Sequence, residues 1–123
     1  IKGSVSYTPE NHEVMVRMRD EKVERVIADV PDLEITGDKS GDLLLIGWGS
    51  TYGHLVSAVT ELHEEGYKVS AVNFNYIRPL PANTAEVFAN FKKLVVCELN
   101  AGQFANFLRM KYQKFTYHQY NKI

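Results

Sequence analysis

Cysteine occurs once, at Cys97, so the chain closes no disulfide on itself and cannot supply a four-cysteine zinc or iron-sulfur site from its own residues. One thiol suits a reducing cytoplasm, which is the compartment expected. Long apolar runs are missing as well: none approaches the roughly 18–20 residues of a membrane span, and no basic, apolar, small-residue leader opens the sequence. A charge excess of either sign is also lacking. The formal net charge is -1 and the pI about 6.5, so the basic signature of nucleic-acid or anionic-membrane binding is absent. His12, His54, His63 and His118 are scattered, and His63-Glu64-Glu65 is not the paired-histidine helix motif of catalytic zinc, so no metal site is expected.

What is present is one domain's worth of chain: 123 residues, 45% hydrophobic, enough for a real core but not for two. Charge is unevenly spread. Residues 1–42 carry six Lys or Arg against ten Asp or Glu, whereas residues 92–123 carry six against one. The basic residues of that end are dispersed, the pattern of a solvated face or a subunit contact. The first residue is Ile1 and not Met, which suggests a domain excised from a longer chain.

The organising stretch is Leu43-Leu44-Leu45-Ile46-Gly47-Trp48-Gly49-Ser50-Thr51-Tyr52-Gly53, four aliphatic residues that stop at a loop holding three glycines. It reads as a buried strand turning into a helix. Leu55, Ala58, Val59 and Leu62 then fall on one helical face, and Gly66 stands where a left-handed residue would end that helix. Upstream, residues 1–7 form an aperiodic lead-in. Thr8-Pro9 resembles an N-cap and first turn, and Glu10 to about Val30 predicts a long helix with a narrow stripe of Val16, Val23, Ile27 and Val30. Glu13 with Arg17 and Glu21 with Arg25 are spaced to pair along it. Residues 1–31 are therefore assigned to the lead-in and this helix, and 32–123 to an α/β domain.

Pro31 ends the helix, and Leu33-Glu34-Ile35 predicts a short edge strand. Lys68 to Arg78 reads as a strand, Asn83 and Glu86 have capping-box spacing for a short helix, and Leu94-Val95-Val96-Cys97 is a third buried strand. Asn100-Ala101-Gly102 opens a last helix whose Phe104, Phe107 and Leu108 face the core, and Phe115 to Tyr120 predicts a final strand. Strands alternating with helices give a three-layer, doubly wound, mostly parallel α/β sheet.

A strand-to-helix junction aims backbone N–H groups and a helix dipole at one spot, so Gly49, Ser50, Thr51, Tyr52 and His54 are candidate ligand or interface contacts. The loop is neither G-x-G-x-x-G nor a P-loop, and Ser50 is not in a G-x-S-x-G elbow. Its glycines are read first as permitting a tight turn and close helix-sheet packing. Cys97, inside an apolar strand, is expected to behave as a small hydrophobe. Glu98 follows that strand at the carboxyl edge, where it could be a base, although hydrogen bonds to loop amides are the favoured reading. Arg78 is a further candidate contact, with a structural salt bridge favoured over substrate binding. No catalytic residue is assigned.

Several of these signals stand in one order. Pro9-Glu10-Asn11-His12 before a charged helix, Gly-Asp-Leu-Leu running into Gly-Trp-Gly-Ser-Thr-Tyr-Gly, Tyr76-Ile77-Arg78-Pro79-Leu80-Pro81, Cys97-Glu98-Leu99-Asn100-Ala101-Gly102-Gln103 and Tyr120-Asn121-Lys122-Ile123 resemble the C-terminal part of the α subunit of 2-oxoacid:ferredoxin oxidoreductases, the 2-oxoglutarate type above all. The resemblance implies a transketolase C-terminal-domain-like fold. It also implies a parent enzyme that decarboxylates a 2-oxoacid on thiamine diphosphate and Mg, passes electrons through an iron-sulfur cluster to ferredoxin, and forms an acyl-coenzyme A, with coenzyme A as a substrate. By the same resemblance those cofactors are held by other domains and a β subunit, and this stretch is a non-catalytic assembly domain, inactive alone. Asn100-Ala101-Gly102-Gln103 stands where some relatives carry paired glycines, so no ligand role is carried to that loop. Two other readings stay open: a stand-alone nucleotide- or anion-binding module using Gly47 to Gly53, and a homodimerisation domain using the aromatic-rich C-terminal third.

Overall fold

The structure, a computed structural model, describes Gly3 and residues 5–123, so part of the lead-in predicted over 1–7 lies outside the described residues. Helix α1 spans Pro9–Arg25 and continues as a 3-10 turn, Val26–Asp29. The chain then goes extended at Val30, where Pro31 excludes another helical residue. Strand β1 is Ile35–Thr36, β2 is Gly41–Trp48, and a 3-10 turn at Gly49–Thr51 leads into α2, Tyr52–Glu64. Strand β3 (Val69–Phe74), α3 (Thr84–Ala89), β4 (Phe91–Glu98), α4 (Gln103–Lys111) and β5 (Tyr117–Asn121) complete the domain.

The five strands form one sheet in the order β1-β3-β2-β4-β5. All pairings are parallel except the short β1, which runs antiparallel to β3. The aliphatic run of β2 thus lies at the centre of the sheet, with Leu44 and Ile46 fully buried. Gly66 ends α2 at φ 88°, the left-handed residue the sequence predicted.

Two apolar layers sandwich the sheet unequally. On one face Leu44, Ile46, Phe74, Leu94 and Val96 meet α3 and α4 through Phe88, Phe104 and Leu108. Phe88 has Phe74, Phe115 and Tyr117 around it, edge to face, with ring centroids 5.7–6.2 Å apart. On the other face the core is small: Leu55 and Val59 of α2 against Val69 and Ala71 of β3.

Three local expectations need correction. Neither Glu13–Arg17 nor Glu21–Arg25 pairs; the contact formed is Arg17–Glu21 at 3.7 Å, both side chains largely exposed, which is the weaker order against the helix dipole. Thr8 sits at the N-cap of α1 and Asn83 at that of α3, yet neither side chain caps its helix. Asn83 instead clamps the backbone of Leu33, accepting from its N–H at 2.8 Å and donating to its carbonyl at 3.2 Å. That exchange satisfies both backbone groups of the extended segment before β1, a tertiary demand that outweighs a local cap. Finally, the predicted helix to about Val30 stops being α-helical at Arg25: α1 buries none of its residues, and of the stripe Val16 and Ile27 are exposed, Val23 is half-buried, and only Val30, beyond the helix, is buried.

Candidate functional site

Helices α2 and α4 follow neighbouring strands β2 and β4 but pack on opposite faces of the sheet, so the crevice between the carboxyl ends of β2 and β4 is where α/β domains place ligands. The chain's own side chains fill it. Trp48, the last residue of β2, donates its indole N–H to Glu98 Oε1 at 3.3 Å and sets its ring 6.3 Å from that of Phe104. Glu98, the last residue of β4, is 2% exposed. Its Oε1 also accepts from the Phe104 N–H at 2.8 Å, and its Oε2 from the Ala105 N–H at 3.0 Å. A carboxylate therefore occupies the positive end of α4 and uses the amides that an external anion would need. Asn100 completes the turn, its Oδ1 accepting from Gly102 at 2.8 Å and Gln103 at 3.0 Å. Gly102 has φ 93°, and a Cβ there would collide with the Gln119 side chain.

The β2–α2 junction is built differently. Gly47 is buried beneath the turn, where a Cβ would run into Thr51 Oγ1 and lie 2.5 Å from Leu55 Cδ1, so glycine is what lets the helix approach the strand. Gly49 supplies the left-handed turn at φ 59°. The Thr51 hydroxyl accepts from the Trp48 N–H at 3.0 Å, and its proton is shared between the Trp48 carbonyl at 2.9 Å and Asn73 Oδ1 at 3.2 Å. Asn73 in turn donates to the Gly49 carbonyl at 3.2 Å, tying β3 to the loop.

Of the seven nominated contacts, Gly49, Ser50, Thr51, Tyr52 and His54 are brought together on this junction, and Gly49, Ser50, Tyr52 and His54 are exposed. Glu98 lies across the crevice, facing inward and offering no surface to a ligand. Arg78 is not part of the group: it turns away to pair with Asp20 of α1, both side chains more than half exposed. Such a pair is worth little energetically but is a direct tie between the open helix and the domain.

Beside the junction lies a cleft of about 580 Å³ that includes Gly49, Tyr52, Asn73 and Tyr76 together with the carboxylates Asp32 and Glu34. No Lys or Arg lines it, so its charge opposes a phosphate or nucleotide, and the anion-binding module is not favoured. Cys97 is half-buried, and burial pushes its thiol pKa up, away from the nucleophilic thiolate. Among the described residues no cluster of His, Cys, Asp or Glu could hold a metal ion, and no helix is long and apolar enough to cross a membrane.

Trp48 and Asn100 were named from the sequence only as members of their motifs, with no side-chain role, and Asn73 was not named. Asn100, two residues before Gly102, has the Asx-turn spacing that could have marked it. Nothing local marks Asn73, whose role depends on the β2–β3 pairing.

Residues 41–122 match the family model described as pyruvate:ferredoxin oxidoreductase core domain II. The chain is 46% identical over 112 residues to the 2-oxoglutarate oxidoreductase subunit KorA of Mycobacterium tuberculosis, covering 89% of this chain and 17% of that protein. It is 26% identical over 97 residues to a 2-oxoacid:ferredoxin oxidoreductase subunit alpha of Saccharolobus solfataricus, covering 76% of this chain and 15% of that one. A solved structure of 2-oxoglutarate:ferredoxin oxidoreductase from Magnetococcus marinus, with 2-oxoglutarate, coenzyme A and succinyl-CoA bound, superposes with a TM-score of 0.82 at 33% identity, covering 98% of this chain and 21% of that chain.

Proposed function

Since this chain belongs to the pyruvate:ferredoxin oxidoreductase core domain II family, we propose that it acts as a non-catalytic assembly domain in the α subunit of a 2-oxoglutarate:ferredoxin oxidoreductase. The observation that carries this reading is the closed crevice between β2 and β4. There Glu98 and Trp48 spend on each other and on α4 the groups a ligand would use, while the similarity to 2-oxoacid oxidoreductase subunits extends over most of the chain.

The chain spans about a sixth to a fifth of the relatives it matches, so the chemistry of the parent belongs mainly to residues outside it. That parent would decarboxylate a 2-oxoacid oxidatively on thiamine diphosphate with Mg, transfer the acyl group to coenzyme A and reduce ferredoxin through an iron-sulfur cluster. A lone cysteine in an apolar strand does not fit a cluster ligand set, and no step of this chemistry is assigned to residues here. The division into a leading helix, 1–31, and an α/β domain, 32–123, is part of the same proposal, as are the remaining α-subunit domains and the β subunit as partners. Gly49, Ser50, Tyr52 and His54 then form the exposed edge through which such a partner is met.

The test is assembly and turnover of the full-length chain. Tagged full-length α chain should bring down the β chain and, with it, support dye reduction by 2-oxoglutarate and coenzyme A, whereas the 123-residue chain alone should not. Turnover by the isolated 123 residues, or a β chain that never copurifies, would overturn the assignment.

A further inference from the structure

The sheet ends on two unlike edges. At one, β1 pairs over two residues only, Ile35 and Thr36, too short a template for another strand. At the other, β5 runs for five residues in unbroken register with β4, from Leu94–Tyr117 to Glu98–Asn121, without a bulge. Tyr117-His118-Gln119-Tyr120-Asn121 holds no charged residue, proline or glycine, so it has none of the devices that blunt an exposed edge. The direction of its backbone groups follows from one bond. Lys122 donates its N–H to the Glu98 carbonyl at 2.9 Å, so the even-numbered residues turn their N–H and C=O to β4, and Tyr117, Gln119 and Asn121 turn theirs outward. Of these outward groups only the Tyr117 carbonyl has a partner among the described residues, accepting from Arg109 Nη2 at 3.1 Å. Arg109, the one charged side chain hydrogen-bonded to the strand, also donates to Gln119 Oε1 at 2.8 Å and Asn106 Oδ1 at 2.9 Å.

We propose that two copies of this chain pair antiparallel through β5, about a twofold axis at Gln119, joining two five-stranded sheets into one. The outward groups set the register. Gln119 of each copy exchanges both backbone bonds with Gln119 of the other, and Tyr117 exchanges with Asn121 on either side, about six hydrogen bonds in all. On the exposed face His118 then stands directly opposite Tyr120 of the second copy, an aromatic cross-strand pair. What selects a second copy as the occupant is that β5 is its own complement: it is neutral, its outward donors and acceptors match under a twofold rotation, and no charge is set against a like charge. Lys122, the nearest charge beyond the strand, falls opposite Thr116. A charged strand from a different protein finds no counter-charge within β5, and the β1 edge of another copy offers only two residues. The inference takes from the proposed function only that the chain is part of a longer α subunit.

The experiment introduces Gln119→Cys into the full-length α chain, purified with its β chain, and oxidises it with copper phenanthroline. A hydrogen-bonded antiparallel pair holds its Cα atoms about 5.5 Å apart, within disulfide reach, so an α–α band linked through position 119 of both copies is expected. Two differently tagged α chains, one His118→Cys and the other Tyr120→Cys, should likewise crosslink to each other when coexpressed. Either of these variants alone should give about tenfold less α–α band, because copies of the same residue then stand about 7–8 Å apart. Absence of the link through position 119, an α–β band in its place, or an α–α band as strong from His118→Cys alone as from the coexpressed pair would each overturn the proposal. His118 and Tyr120 are exposed, so the second pair still decides the matter if Gln119→Cys, which gives up its bond to Arg109, fails to fold. Copurification of β is scored on the same preparations, so failure of the subunit reading is distinguishable from failure of the β5 pairing.

Discussion

The two junctions at the carboxyl edge of the sheet use the same parts to different ends. Each leaves a buried parallel strand, turns through a left-handed glycine, Gly49 or Gly102, and starts a helix within a few residues. After β4 the turn is closed by charge: the Glu98 carboxylate and the Asn100 amide take up the first free N–H groups of α4 and its approach. After β2 it is closed by one neutral hydroxyl, Thr51, and by a missing side chain at Gly47, while the loop itself stays exposed. A glycine-rich strand-to-helix turn is thus a geometric device, and what binds at it depends on whether the chain brings its own carboxylate.

The sharpest way to break this contrast is to remove that carboxylate. Glu98→Ala leaves the buried N–H groups of Phe104 and Ala105 and the Trp48 indole without their acceptor, and should cost about 3–5 kcal/mol of stability. Urea unfolding measures it. Glu98→Gln, which keeps the shape and one good acceptor, should lose about half as much. A loss under about 1 kcal/mol for Glu98→Ala would mean that the crevice is filled by shape alone.

The opposite junction is expected to fail by volume. Gly47→Ala drives a methyl group into Thr51 and Leu55, and should cost about 1–3 kcal/mol. Adding Leu55→Ala returns space to the methyl, so the double variant should lose less than the two single losses combined. Strict additivity in a double-mutant cycle would show that Gly47 is needed for something other than the approach of α2.

What could be read from sequence, and what could not, divides along the same line. The central strand, the helix after it and the left-handed Gly66 follow from periodicity and glycine placement, which are local. The family resemblance followed from ordered motifs, and the domain-family match and the 0.82 TM-score bear it out. The Asn83 capping box failed because the amide serves Leu33, fifty residues away, and no local pattern announces such a partner. The filling of the crevice was half legible: Glu98 could be placed at the edge with loop amides as its favoured partners, but the Trp48 indole reaches it only through the β2–β4 pairing. The open stripe of α1 lies in the same class. Its spacing is that of a packed helix, yet none of its residues is buried, and its Asp20 meets the domain through the exposed pair with Arg78.

The smallest effect should come from the third glycine of the loop, and it has the opposite sign. Gly53 lies inside α2 without a positive φ, and a Cβ there would meet nothing within 4 Å. Its glycine therefore serves neither a turn nor a close approach and carries only the entropic penalty of glycine in a helix. Gly53→Ala should raise stability by about 0.5–1 kcal/mol in the isolated chain, read as a higher urea midpoint at unchanged slope. The same variant then reports on the exposed edge. If Gly49, Ser50, Tyr52 and His54 meet a partner, a methyl group at position 53 stabilises the free domain yet weakens copurification of the full-length α chain with β. A gain in stability with undiminished copurification would place that contact elsewhere and leave the β2–α2 junction a purely internal turn.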